Sequence, residues 1–225
     1  MNKILLGNLF LLIYMGVSAA VFCLAAGRWD FPLVWVFFGL NATAGTATTW
    51  LLARYSPGLV EERLRPGPGE QDRWFKLQST ILTVFLLVLA GLDAGRYHWT
   101  APIRPAVQIG AIVASFVCYC LMTWAVFTNR FFSIAVRLQP DRKQVVVKTG
   151  PYRYVRHPGY AAGLPYIALQ GLALGSPLAS VLGGLPFVWM LYRRTLLEDG
   201  MSMSGLPGYA EYAERVRYRW IPGLW

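Results

Sequence analysis

The sequence predicts an all-α, polytopic membrane protein: four transmembrane helices, then a C-terminal transmembrane helical hairpin and a short amphipathic tail helix. Three observations predict it. Of the 225 residues, 56% are hydrophobic and only 14% are charged, whereas a soluble domain carries about a quarter charged. The apolar residues gather into runs close to the roughly 20 needed to cross hydrocarbon at a rise of about 1.5 Å per residue. Lys and Arg also sort by loop. All but Arg28, Arg96 and Arg104 precede the first run, separate the second from the third, separate the fourth from the hairpin, or follow the hairpin. A formal charge of +10 would suggest nucleic acid in a soluble chain. Confined to these loops it reads as topology, with a multi-pass inner-membrane protein and both termini cytoplasmic. No nucleic-acid partner is expected.

The first span covers residues 4–26 after Lys3. It is too long for a signal-peptide core of about 7–15 residues, and no small-x-small cleavage site follows. Gly27-Arg28-Trp29-Asp30 turns the chain into a second span, 31–53. Asn41, Thr43, Thr46, Thr48 and Thr49 with Gly45 make one face of it small and polar, which suits close helix packing. Spans three and four cover 77–92 and 106–128, the third short enough to require an extra turn. Between spans two and three, Pro66-Gly67-Pro68-Gly69 predicts a bend. Residues 160–174 and 178–197 flank Gly175-Ser176-Pro177 and form the hairpin. Its first arm is only about 22 Å long as a helix. In the tail, Leu206, Tyr209, Tyr212, Ala213 and Val216 recur at helical spacing, predicting a short helix on the membrane surface. The chain divides into a four-helix region, 1–128, and a region of loop, hairpin and tail, 129–225. Cys23, Cys118 and Cys120 all lie in apolar spans as small buried side chains, and no metal is expected.

Two charged clusters remain at the predicted cytoplasmic face. The first is the run Gly150-Pro151-Tyr152-Arg153-Tyr154-Val155-Arg156-His157-Pro158-Gly159-Tyr160. Arg153, Arg156 and His157 suit a carboxylate or phosphate. Pro158 suits a first helical turn, whose backbone N–H groups at Gly159 and Tyr160 form an anion seat. Gly163 and Pro165 keep that helix thin or bent, so that a ligand could lie against it. Headgroup contact by a basic interfacial loop explains the run about equally well. The second cluster is Arg193-Arg194-Thr195-Leu196-Leu197-Glu198-Asp199. Its acids sit at a helix end, against the dipole preference, and read either as a partner for a ligand or as an ion pair with Arg194. Tyr209, Tyr212, Arg217, Arg219 and Trp220 read as an aromatic and basic belt, or as a cover over the site. No Gly-x-Gly-x-x-Gly, Walker loop, His-Glu-x-x-His or Gly-x-Ser-x-Gly is present. Any cofactor must be held by helix ends and loops. His98 reads as interfacial and inert, and Asp93 as a partner of Arg96.

Gly150-Pro151-Tyr152, Arg156-His157-Pro158-x-Tyr160, the acidic pair after a hairpin, and Tyr209, Tyr212, Arg219 and Pro222 in the tail together resemble the isoprenylcysteine carboxyl methyltransferase family, its prokaryotic relatives in particular. Ser56-Pro57-Gly58-Leu59-Val60-Glu61-Glu62-Arg63 resembles it more weakly. The resemblance implies S-adenosylmethionine as cofactor and a lipophilic acceptor entering from the bilayer. Carried over by position, Tyr152, Arg156, His157, Tyr160 and Glu198 line the cofactor pocket beside Gly163. Arg194 and Arg219 face the acceptor or the cofactor carboxylate. His157 is the local base should the acceptor be an amine or hydroxyl. Two departures stand out: Asp199 replaces a common second Glu, and the Gly200–Gly205 stretch predicts a loose linker where relatives continue a helix. The expected function is methyl transfer to a lipophilic or small carboxylate, thiol or amine. Alternatives are a membrane oxidoreductase of the sterol-reductase type using reduced nicotinamide dinucleotide phosphate, and a non-enzymatic membrane scaffold.

Overall fold

The computed structural model describes residues 3–64 and 73–225. The bend expected at Pro66–Gly69 lies outside the described residues. Eight α-helices follow one another: α1 (Lys3–Ala26), α2 (Pro32–Tyr55), α3 (Pro57–Leu64), α4 (Arg73–Gly91), α5 (Pro105–Thr128), α6 (Pro158–Ala173), α7 (Pro177–Gly205) and α8 (Tyr209–Arg215). Among the described residues there is no strand. Proline opens α2, α5, α6 and α7 within their first two positions, where its missing N–H costs nothing.

By length and composition, three stretches among the described residues can cross a membrane: Ile4–Ala26, Trp74–Tyr97 and Pro105–Thr128. Helix α2 matches them at 24 residues, but its Thr-rich face lowers its hydropathy. That face does more than pack. Tyr166 of α6 donates to Asn41 Oδ1 at 2.6 Å, and Tyr119 of α5 donates to Thr48 at 2.9 Å. The third span gains the turn it needed, because α4 begins at Arg73 and runs into a π-helical turn, Leu92–Tyr97.

That turn overturns the pairing expected for Asp93. The carboxylate is 1% exposed and accepts from the Thr100 N–H, the Thr100 hydroxyl and the Ser176 hydroxyl. Arg96 instead donates to the Leu24 carbonyl. A buried carboxylate needs several donors, and the loop ends supply them. This clasp ties the α4–α5 connection to the hairpin turn, where Ser176 also caps α7 by accepting from the Ala179 N–H. Beside it lies the apolar core, which includes Phe22, Val34, Phe37, Leu86, Ile112 and Leu174.

The opposite end of the bundle carries α3, the largely irregular segment 129–157 with its two short 3-10 turns, the end of α7, and α8. Helix α7 departs from expectation by continuing through the Gly200–Gly205 stretch. Packing overrides propensity here: Gly205 abuts Leu138, and the Ser204 hydroxyl bonds back to the Gly200 carbonyl. The tail helix is corrected as well. Tyr209 and Tyr212 are buried, so α8 turns its aromatic face onto the protein rather than onto a bilayer.

Candidate active site

The two charged clusters meet. Pro158 starts α6 with His157 at its N-cap, and the last third of α7 brings Glu198 and Asp199, consecutive in sequence, up beside it. His157 Nε2 lies 3.4 Å from Asp199 Oδ1, and its Nδ1 lies 3.8 Å from Glu198 Oε2. The imidazole thus bridges both acids and stacks on the Tyr160 ring at 5.8 Å.

Asp199 is the hub. It accepts from Arg156 Nη2 at 3.0 Å, Arg219 Nε at 2.9 Å and the Tyr209 hydroxyl at 2.7 Å. Burial alone would raise its pKa. Hydrogen bonds from His157 and Tyr209, and the Arg156 charge, outweigh that and hold the carboxyl well below the usual Asp range. Glu198 Oε1 accepts from the Tyr160 hydroxyl at 2.6 Å and from Arg194 Nε at 2.8 Å. The expected ion pair with Arg194 therefore exists, but its Arg side chain is only 5% exposed. Arg194 also donates to the Ile134 carbonyl and lies 3.9 Å over the Phe75 ring.

The tail closes the arrangement. The Arg156 and His157 N–H groups donate to the Tyr218 and Arg219 carbonyls, both at 2.9 Å. Arg156 Nη1 reaches the Ala213 and Val216 carbonyls at the end of α8. The Tyr212 hydroxyl donates to the Tyr152 carbonyl, and Trp220 Nε1 to the Thr195 hydroxyl. Of the two readings of the tail, the cover is the one its contacts favour, although Arg217 stays exposed. Burial, together with the hydrogen bond to Asp199 at Tyr209, pushes the phenols of Tyr209, Tyr212 and Tyr152 well above the ordinary tyrosine range. Each remains a hydroxyl donor.

A half-open cleft of about 150 Å³ lies against this network. Tyr152, Arg156, His157, Gly159, Tyr160, Glu198, Tyr209 and Tyr212 line one side, and Phe131 to Ser133, Ala135 to Gln139 and Gln144 to Val147 line the other. Arg194 and Arg219 stand behind the wall, bound to the acids that line or support it. Gly163 lies one turn along α6, facing Met122 of α5. Arg153 is exposed. The Tyr160 N–H, expected free as half of an anion seat, donates to the His157 carbonyl at 3.1 Å. Two buried donor atoms of the network have no partner among the described residues: Arg156 Nε and Arg194 Nη1.

Sequence reasoning weighed Asp199 as half of the acidic pair without placing it in the pocket, and it passed over the whole wall 131–147. Asp199 had a signal, as half of an acidic pair at a helix end. The wall had none, being irregular and without periodicity.

The geometry defines a helical membrane protein with a buried polar cleft at one end of the bundle. Residues 109–203 match the model of the isoprenylcysteine carboxyl methyltransferase (ICMT) family. The structure resembles that of the eukaryotic intramembrane Ras methyltransferase ICMT, solved without a monobody. The TM-score is 0.58 and the identity 16%, with 94% of this chain and 74% of that chain covered. At such identity the likeness is one of fold. No curated protein matches the sequence. The chain is thus similar to the ICMT family over residues 109–203 and to a eukaryotic ICMT in fold.

Proposed function

We propose that the protein transfers a methyl group from S-adenosylmethionine to a lipophilic or small acceptor at the cytoplasmic membrane face. The observation that carries this reading is the junction of His157 with Glu198 and Asp199, which joins two motifs 41 and 42 residues apart inside one cleft. The donor set fits the cofactor. Carboxylates and phenols suit an ammonium and ribose hydroxyls, the orphaned Arg156 Nε suits a carboxylate, and aromatic faces attract a sulfonium for about 0.5–2 kcal/mol. The enclosed space is smaller than the roughly 300 Å³ of common ligand clefts, so a ligand of this size extends through the open mouth.

When bound, S-adenosylmethionine supplies an activated methyl group. The chain's own residues do the rest. Tyr152, Arg156, His157, Tyr160 and Glu198 bind and orient, and alignment alone can supply about 7–11 kcal/mol. Asp199 fixes Arg156 and His157 from behind. The tail excludes water, leaving an anionic nucleophile less solvated. Arg194 lies between the cleft residue Glu198 and Phe75 of α4, and its unpartnered Nη1 suits an anionic acceptor arriving from the bilayer. A carboxylate or thiolate needs no base; for an amine or hydroxyl, His157 takes the proton.

Titration calorimetry on the detergent-solubilised protein tests the reading. Wild type should bind S-adenosylmethionine saturably, and His157→Ala should weaken binding about tenfold, as loss of a charged hydrogen-bond network implies. Binding of reduced nicotinamide dinucleotide phosphate with none of S-adenosylmethionine would reject it.

A further inference from the structure

We propose that Glu62, through its buried pair with Arg137, is a positioning residue that sets the non-helical wall of the cofactor cleft. Glu62 lies on α3, outside the segment that matches the family model. The side chains of Arg137 and Glu62 are 3% and 4% exposed. Their contact is two-pronged: Arg137 Nε donates to Oε1 at 3.0 Å and Nη2 to Oε2 at 2.8 Å. Ser133 adds a bond to Oε1 at 3.0 Å. Arg137 gives its remaining donors to Asp141, from both Nη1 and Nη2, and to the Leu138 carbonyl. One carboxylate therefore grips the cleft wall at Ser133 and Arg137, two of the residues that line the cleft.

The wall has no regular ladder of backbone bonds to hold its shape, so its conformation depends on such side-chain anchors. Helix α3 is itself fixed. Leu59 is 2% exposed and packs with Leu52 and Val126, with Phe132 against the group. Phe132 in turn presses on Gly159, where a Cβ would come within 2.9 Å of the ring. A side chain at Gly159 would have to displace the Phe132 ring. Support passes from α3 through Phe132 to the start of α6, and through Glu62 to the facing wall.

The inference rests on the cofactor reading above, and its test separates the two. Hydrogen exchange without ligand and calorimetry with S-adenosylmethionine are run on the full chain in detergent, for wild type, Glu62→Gln, Arg137→Met and the double variant. Glu62→Gln should speed exchange across 131–147 while leaving α6 and α7 protected, and should weaken S-adenosylmethionine binding about tenfold or more. The double variant removes the buried guanidinium that Glu62→Gln leaves with only the half-exposed Asp141 as carboxylate partner, and it should bind more tightly than Glu62→Gln, which also guards against a single variant that fails to fold. Unchanged exchange, or faster exchange with affinity kept within twofold, overturns the proposal. Should wild type bind no S-adenosylmethionine, the cofactor reading fails, and the exchange data alone decide whether Glu62 sets the wall.

Discussion

Asp199 joins four side chains from three parts of the chain: Arg156 and His157 before α6, Tyr209 on α8, and Arg219 in the tail. Asp199→Asn keeps the shape but leaves Arg156, 7% exposed, without its counter-charge. Breaking a buried pair from one side costs about 3 kcal/mol or more. The expected outcome is a lower melting temperature and rapid proteolysis of residues 206–225. Acid should act in the same direction. The folded pKa lies below the unfolded one. The contribution of Asp199 is therefore complete above about pH 4, the ordinary Asp value, and is lost as the pH falls through the folded value. Pepsin should spare the tail of wild type at about pH 4 and release it at lower pH, and should cut Asp199→Asn at both. A tail equally resistant at every pH would contradict the hub role.

The hairpin of α6 and α7 depends on close approach. A Cβ at Gly171 would lie 2.1 Å from the Ser180 nitrogen, a backbone atom that cannot swing aside. Gly171→Ala should therefore destabilise by about 2 kcal/mol. Gly110→Ala meets nothing within 4 Å and should be neutral, or stabilising by up to about 1 kcal/mol. Thermal unfolding in detergent reads both, and equal melting temperatures would argue against the packing. The hairpin turn was legible in Gly175-Ser176-Pro177 because the signal is local: a left-handed Gly175, a Ser cap and a Pro in the first turn. The continuation of α7 to Gly205 was not, because Leu138 lies 67 positions away in sequence and no local rule registers it. The same holds for Glu62 and Arg137, 75 residues apart. Arg137 had looked like one more orientation charge.

The bundle sorts its charges by end. Arg96 lies on the turn that carries Asp93 and Arg104 precedes α5, while Arg156, Arg194 and Arg219 bind the acids at the cleft end. That arrangement matches the loop pattern on which the orientation was inferred. In a background with Cys23, Cys118 and Cys120 replaced, an impermeant maleimide on intact cells should label a cysteine introduced at the exposed Asp30 and spare one at the exposed Lys148. The reverse pattern would invert the orientation and remove the cleft from the cytoplasm. At this scale three of the expected spans were readable, since apolar length is a property of composition. The clasp was not. Asp93, Thr100 and Ser176 carry no recognisable spacing and meet only because two hairpins end at the same level.

The pairing of residues 156 and 157 with 218 and 219 also orders events during synthesis. The bundle can enter the bilayer helix by helix as the nascent chain emerges. The cleft end cannot be completed until Arg219 has left the ribosome, because the carbonyls that pair with residues 156 and 157 are made after all of α6 and α7. A product interrupted between α7 and Tyr209 would carry the bundle without its fastening, leaving Asp199 short of the donors that Tyr209 and Arg219 supply.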